Sequence, residues 1–217
     1  MRELFLKISE EKRLRIYKAA INEFAQNGYE NASTHKIAKQ AQISVGSLFQ
    51  YFENKEDIFL SVAQYYASIV KEAFDEILHT DESFKAKLEN VLRNVVKHSR
   101  ENSELIKLYY EMSSPSNYSI MNQAAQKIET IAADFYLSLI EQGQAENVIP
   151  KGVDPKMVSY HLDNQIIMMQ FSYSCGYYQE RFRVYMGDDI FEQDDMVVKQ
   201  VMKFLLAALC SESSSFE

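Results

Sequence analysis

The sequence predicts an all-α protein: a small N-terminal helical head followed by a larger helical body, about nine helices in all. Three observations predict it. Glycine (6) and proline (3) are scarce among the 217 residues, well below the ordinary ~12% share, which disfavours many short strands joined by tight turns. Apolar residues recur at three- and four-residue spacing through most of the chain. Helix-starting residues, namely Ser33, Ser44, Asn54 and Asp154, stand just ahead of those periodic segments. With 47% hydrophobic residues, the chain has enough apolar side chains for a sizeable core.

The elements follow in order. Arg13–Asn27 carries Ile16, Ala20 and Phe24 at four-residue spacing and stops at Asn27-Gly28, both of which tolerate a left-handed conformation. Ser33 caps a short helix to about Gln40, with Ile37 and Ala38 inward. After a break at Ala41-Gln42-Ile43, Ser44 caps a third helix, Val45 to about Phe52, with Leu48 and Phe52 inward. Asn54 caps a long fourth helix, Lys55 to about His79. Then come Glu82–Arg100, Glu104–Met112 and Tyr118–Ala145, with a break at Ser113-Ser114-Pro115. Asp154-Pro155 opens a helix to about Tyr178 or Phe182, since Asp suits the N-cap and Pro the first helical position. Val184–Glu192 reads as irregular, Asp194 or Asp195 opens a last helix to Leu209, and Ser211–Glu217 reads as a frayed end.

Composition excludes several function classes. No apolar run approaches the ~18 residues of a membrane span; the longest are Ile166–Met169 and Phe204–Leu209. Charges interrupt Met1–Lys12, so it does not read as a secretory signal. Two cysteines, Cys175 and Cys210, are too few for a disulfide framework or a zinc module. The four histidines, His35, His79, His98 and His161, fall at no metal-binding spacing, and there is no glycine-rich phosphate loop or nucleophile signature. The expectation is a cytoplasmic protein, not an enzyme, with no cofactor, no metal and no membrane partner.

The net charge of −8 hides a split. Residues 1–56 hold 9 basic and 7 acidic residues, a net of +2, whereas residues 57–217 hold 14 and 24, a net of −10. Phosphate repels the acidic part, so any contact with nucleic acid belongs to the head. Three short helices within about 40 residues, with a short turn between the second and third, make a helix-turn-helix pattern whose third helix would read DNA. Its first turns carry Ser44, Gly46, Ser47 and Gln50. Glycine inside a helix costs roughly 1 kcal/mol; Gly46 is explained either by close approach to a phosphate backbone or by helix packing.

The run from Thr34 through Gln40-Ala41-Gln42-Ile43-Ser44-Val45-Gly46-Ser47-Leu48-Phe49-Gln50-Tyr51-Phe52 to Asn54-Lys55-Glu56, together with Ala19-Ala20, Phe24, Gly28 and Tyr29, resembles the signature of the TetR family of bacterial transcriptional regulators. The resemblance covers about residues 10–70, with the motif at about 33–52. It implies a DNA-binding head over 10–70, a ligand-binding and dimerisation domain over 71–211, a homodimer, a palindromic double-stranded operator and a small inducer. Two positions depart from the family pattern. Gln42 stands where the family often has glycine in a left-handed turn, and Phe49 stands where tyrosine is common.

Residue chemistry gives the head its candidate contacts. Thr34 and His35 lie in the first turn of the second helix, where free backbone N–H groups favour an anion. Ser44, Ser47 and Tyr51 offer hydroxyls to phosphate, Gly46 lets the backbone approach, and Phe49 keeps a stacking contact with sugar. Lys55 is placed to hold a phosphate at the start of the fourth helix. Gln50 can pair with adenine and Val45 can touch a thymine methyl. For Tyr51 simple packing, and for Lys55 a solvated charge, are the competing explanations.

In the body, Val158, Leu162 and Ile166 form one apolar stripe and Val198, Val201, Met202 and Leu205 another. Helices apolar over a wide arc need more than one neighbour, so these residues are the candidate dimer surface, with a monomer core as the alternative. Tyr109, Met112, Tyr136, Met168, Met169 and Tyr173, with His161 and Gln165 as polar anchors, are the candidate pocket for a small hydrophobic, aromatic or cationic effector. The expected function is a ligand-responsive homodimeric repressor. The alternatives are a DNA-binding regulator controlled by a protein partner or acting as an activator, and, from another class, a small-molecule enzyme.

Overall fold

The structure is a computed structural model that describes residues 1–112 and 118–210. The break at 113–115 and the frayed end at 211–217 lie outside the described residues. Among the described residues eleven α-helices run in order: α1 (Glu3–Leu6), α2 (Glu10–Asn31), α3 (Thr34–Gln40), α4 (Val45–Tyr51), α5 (Lys55–Leu78), α6 (Phe84–Glu101), α7 (Ser103–Met112), α8 (Tyr118–Ala145), α9 (Pro155–Ser174), α10 (Gly176–Met186) and α11 (Asp194–Cys210), with a 3₁₀ turn at Asp188–Glu192. No strand occurs among the described residues.

Two differences from the expected nine helices have physical causes. The four-residue α1 has no cap signal; it is held by Phe5, which is wholly buried against Tyr17, Tyr51 and Phe52 at ring-centroid distances of 5.3, 5.8 and 4.8 Å. The helix expected from Asp154 to Tyr178 or beyond is two helices. Cys175 adopts an extended conformation (φ −105°, ψ 125°), in a Ser-Tyr-Ser-Cys-Gly run of weak helix formers. Its carbonyl accepts the first bond of α10 from Gln179. The stretch 184–192, which reads as irregular, is the end of α10 and the 3₁₀ turn.

Compactness divides the chain into two units: residues 1–70 with 104–129, and residues 71–103 with 130 onward. The boundaries after residues 70 and 129 fall inside α5 and α8, and the one after residue 103 falls at the first residue of α7, so α5 and α8 each run from one unit into the other.

In the first unit, Ile16, Ala20 and Phe24 of α2 meet Ile37, Leu48, Phe52, Ile58 and Phe59 in a buried core. Phe24 and Phe59 pack edge to face at 5.0 Å. Gly28 breaks the helical path of α2 at φ 67°, ψ 170°, a region that only glycine enters freely. The turn between α3 and α4 is a Schellman motif. The Ile43 N–H bonds back to the Ala38 carbonyl at 3.0 Å and the Gln42 N–H to the Lys39 carbonyl at 3.1 Å. That motif places Gln42 at φ 57°. The α7 helix belongs to this unit too, with the Tyr109 hydroxyl donating to Glu129 at 2.7 Å.

The second unit closes around Phe84, Leu88, Leu92, Phe135, Tyr136, Leu139, Leu162, Ile166, Val198 and Leu205. Phe74 and Phe135 stack at 3.9 Å. At its edge, Arg100 bonds Asp194 at 2.6 Å, and Asp194 accepts the Tyr173 hydroxyl at 3.2 Å. Burial first, then the Asp194 charge, pushes the Tyr173 hydroxyl above its ordinary pKa, so it stays a proton donor in this bond.

Two stability predictions follow from these contacts. A left-handed non-glycine residue costs about 1–2 kcal/mol, of which the greater unfolded-state freedom of glycine returns about 0.5–1. Gln42→Gly is therefore expected to stabilise the head by about 0.5–1 kcal/mol, and Gln42→Val to destabilise it, in denaturant titrations followed by circular dichroism. Phe5→Ala is expected to cost about 3 kcal/mol or more, as for other buried phenylalanines; a loss under 1 kcal/mol would mean that α1 is not anchored by this ring.

Candidate nucleic-acid interface

The head's short helices are positioned by caps. The Ser33 hydroxyl accepts from Lys36 N–H at 3.4 Å, and the Ser44 hydroxyl accepts from Ser47 N–H at 3.0 Å. Ser44 and Ser47 also share a hydroxyl–hydroxyl bond of 2.8 Å. Glu23 is almost fully buried and accepts the Ser33 N–H at 2.9 Å, with the Lys36 ammonium 3.9 Å from the same carboxylate oxygen. Arg15 reaches across from α2 and donates to the Ala41 carbonyl at 2.8 Å, satisfying the open end of α3 just before the turn.

These supports leave α4 with two different faces. Leu48 and Tyr51 point into the core. Ser44, Gly46 and Gln50 are exposed, and Val45, Ser47 and Phe49 are half-buried. A side-chain carbon built onto Gly46 would meet only the Ser44 hydroxyl, at an ordinary 3.8 Å. Packing inside this chain therefore does not require glycine there. On α3, Thr34 is half-buried and His35 exposed, with the Lys36 and Lys39 ammonium groups on the same short helix also exposed.

Two candidate contacts are engaged within the chain. The Tyr51 ring is buried, and its hydroxyl accepts from the Lys12 ammonium at 3.0 Å. The Lys55 ammonium donates to the carbonyls of Glu30 at 2.8 Å and Ala32 at 3.4 Å, and lies 4.9 Å from the centroid of the Tyr29 ring. It thus closes the carbonyl end of α2, where a cation is favoured, and ties that end to the start of α5. Lys12, Arg15 and Glu23 are the residues that sequence reasoning missed. Each acts on a backbone group or hydroxyl distant in sequence, and no local pattern marks them.

The candidate pocket residues are divided between the two units. Tyr109 and Met112 lie in the first unit and the other six in the second. Tyr136 is buried beside Phe74 and Phe135, and Tyr173 is bonded to Asp194. Gln165, Met168 and Met169 line an open cleft of about 360 Å³ with Phe182 of α10 and Val201 and Phe204 of α11; His161 is exposed on α9. Of the candidate dimer residues, Leu162, Ile166, Val198 and Leu205 face the core of their own unit, while Val158, Val201 and Met202 are partly buried against it. The exposed apolar surface of α9 and α11 is carried instead by Met157, Tyr160, Met168 and Phe204, which are 58, 63, 39 and 64% exposed.

Among the described residues there is no group of three His, Cys, Asp or Glu side chains able to hold a metal ion, and no helix long and apolar enough to cross a membrane. The head has the geometry of a helix-turn-helix DNA reader: a capped second helix, a left-handed turn, and a third helix with its polar face outward.

Comparison with known proteins agrees with that geometry. Residues 16–62 match the family described as bacterial regulatory proteins, tetR family. The chain is 23% identical over 158 residues to the uncharacterised HTH-type transcriptional regulator YhgD of Bacillus subtilis, covering 73% of this chain and 82% of that one. It is 36% identical over 81 residues to the fatty acid metabolism regulator protein of the same organism, covering 37% of this chain and 42% of that one. Its fold is similar to that of the transcriptional regulator FadR from Bacillus subtilis, solved in complex with stearoyl-CoA. The TM-score is 0.73 at 20% identity, over 90% of this chain and 98% of that one. These relatives are regulators of transcription and not enzymes. With an all-helical fold and a helix-turn-helix whose reading face points outward, the chain carries the DNA-binding domain of the TetR family and is a DNA-binding transcriptional regulator of TetR type.

Proposed function

We propose that the protein is a homodimeric repressor that holds a palindromic operator and leaves it when a small hydrophobic effector binds the body. The observation that carries the DNA half of this reading is the division of α4, with Leu48 and Tyr51 inward and Gly46 and Gln50 outward. Residues 10–70 read DNA in this proposal, and residues 71–211 bind the effector and the second subunit. Gln50 and Val45 read bases. Thr34, His35, Ser44, Ser47 and Phe49, with the Gly46 backbone, set the register on phosphate and sugar. Lys55 contributes its remaining N–H to phosphate while it holds the end of α2, and Tyr51 positions Lys12.

The dimer rests on the exposed stripe of α9 and α11. Met157, Tyr160, His161, Asn164 and Met168 share one face of α9, and none of them is Asp, Glu, Lys or Arg, although 25% of the chain is charged. A C2 interface uses one self-complementary patch twice. For the effector, the fold's similarity to a regulator crystallised with stearoyl-CoA supports a lipophilic, chain-like molecule. The passage of α5 and α8 from one unit into the other supports a mechanical link between effector and DNA. The effector need only bind better to a dimer whose heads are wrongly spaced. A second reading, control by a protein partner without a small ligand, draws on Tyr136, whose ring is packed against Phe74 and Phe135 in the core.

The test begins with operator selection from random DNA. A palindrome with half-sites about one helical turn apart is expected. Gln50→Ala should lose about 1–3 kcal/mol of discrimination at one base position per half-site. Lys55→Ala should weaken all sequences alike, lower the salt slope by about one per half-site and lower the melting temperature. Equal loss on every sequence for Gln50→Ala would remove it as a base reader.

A lipophilic effector found by thermal shift should weaken operator binding ~100-fold, a coupling of about 2.7 kcal/mol, and operator should weaken effector binding by the same factor. Equal effector affinity with and without operator would favour the protein-partner reading.

A further inference from the structure

The carbonyl end of α4 is closed by a residue that stands ahead of the family match, which begins at residue 16. The last carbonyls of a helix have no partner within it, and in α4 Arg2 takes two of them. Its guanidinium donates to the Phe49 carbonyl at 2.9 Å, and its backbone N–H donates to the Tyr51 carbonyl, also at 2.9 Å. Arg2 is itself held in place. The Phe5 N–H returns to the Arg2 carbonyl at 3.0 Å, the Phe5 ring is wholly buried, and Arg13 closes the other end of α1 through the Leu6 carbonyl at 2.9 Å.

A helix end needs donors but no charge, and water alone satisfies an exposed one. The Arg2 side chain is exposed. Among the described residues no carboxylate pairs with it, whereas the nearby Lys7 and Arg15 lie 3.7 Å from Glu3 and 3.8 Å from Glu11. A single guanidinium N–H rests on a neutral carbonyl, so the positive charge and the other donors stay available to an anion.

The place of that charge selects the anion. Helix α4 is seven residues long, about 10 Å at the helical rise, and the major groove that a reading helix enters is about 12 Å wide. A helix of that length has both ends within reach of a phosphate strand. At its start, the Ser44 and Ser47 hydroxyls and the free N–H groups suit phosphate. At its far end, bare carbonyls repel phosphate, and Arg2 reverses the sign.

We infer that Arg2 is a DNA-contacting residue outside the helix-turn-helix, binding a backbone phosphate at the carbonyl end of α4 while it holds that end. This rests on α4 as the helix that enters DNA. The contact carries no base information. It sets the tilt of α4 in the groove, because one side chain touches the helix end and the phosphate together. Lys12, whose ammonium bonds the Tyr51 hydroxyl at 3.0 Å, adds a second positive charge at the same end.

The test uses the full-length protein and the duplex that operator selection returns. Arg2→Gln keeps an amide donor for the Phe49 carbonyl and removes the charge. It should lower the salt slope of binding by about one per half-site and weaken operator and random duplex by the same factor. Helical content and melting temperature should not change, and Arg2→Lys should restore the slope. Replacing phosphates one at a time by neutral methylphosphonates should reveal one whose loss weakens the unmodified protein and has no further effect on Arg2→Gln. An unchanged slope, or the absence of such a phosphate, overturns the contact and leaves α4 as the reading helix if Gln50→Ala still relaxes base preference. Affinity lost only together with helical content, and not rescued by lysine, also overturns it and makes Arg2 a helix cap alone. Base preference left intact by Gln50→Ala overturns the reading of α4 on which the contact rests.

Discussion

The left-handed residue that ends α3 is the constraint on which the reading head depends. A helix of seven residues cannot persist alone in water, and both α3 and α4 are seven residues long. They persist because each is capped at its start, because Ile37 and Leu48 are wholly buried, and because the chain reverses at one fixed angle between them. Each buried side chain contributes about 1.5–3 kcal/mol, but only if the turn delivers both helices to the same core. Gln42 takes the strained backbone angle that makes this possible. Arg15 secures the same corner from α2 through the Ala41 carbonyl. The outward display of Gln50 is thus a consequence of a turn eight residues earlier.

The body solves a different problem, since its helices are apolar on more than one side. In α9 the side bearing Leu162 and Ile166 is used by the core of its own unit, and the side bearing Met157, Tyr160 and Met168 is left outward. The Arg100–Asp194–Tyr173 chain of bonds holds the start of α11 to α6 and α9. This fixes which face of each helix turns out. Polar links at the edge therefore set the orientation that the non-directional apolar packing leaves open.

Much of this was legible in the sequence where the signal is local. Ser33, Ser44 and Asp154 are caps in the structure as in the pattern, because capping is a bond between near neighbours. The strain at Gln42 was legible only through the family resemblance, since the family often has glycine at that position. The inward turn of Tyr51 also had a signal, three residues after Leu48 on the same helical face. Long-range bonds were not legible. Lys55 reaches carbonyl oxygens 23 and 25 residues away, and a carbonyl has no residue identity to recognise. The outward face of α9 was not legible either, because periodicity identifies an apolar side without saying whose core it meets. The break at Cys175 leaves only a run of weak helix formers, which the apolar residues on both sides obscure.

The partition of charge described at the outset has a kinetic consequence. Within a Debye length, about 8–10 Å at physiological salt, the residues after 56, with their net −10, repel a nucleic acid. Only an approach led by the first 56 residues, with their net +2, becomes attractive at short range. This polarity disfavours general adhesion to irrelevant sequence. In the proposed function, affinity for the operator then comes from base contacts rather than from general adhesion, so a modest loss of specific contacts empties the site.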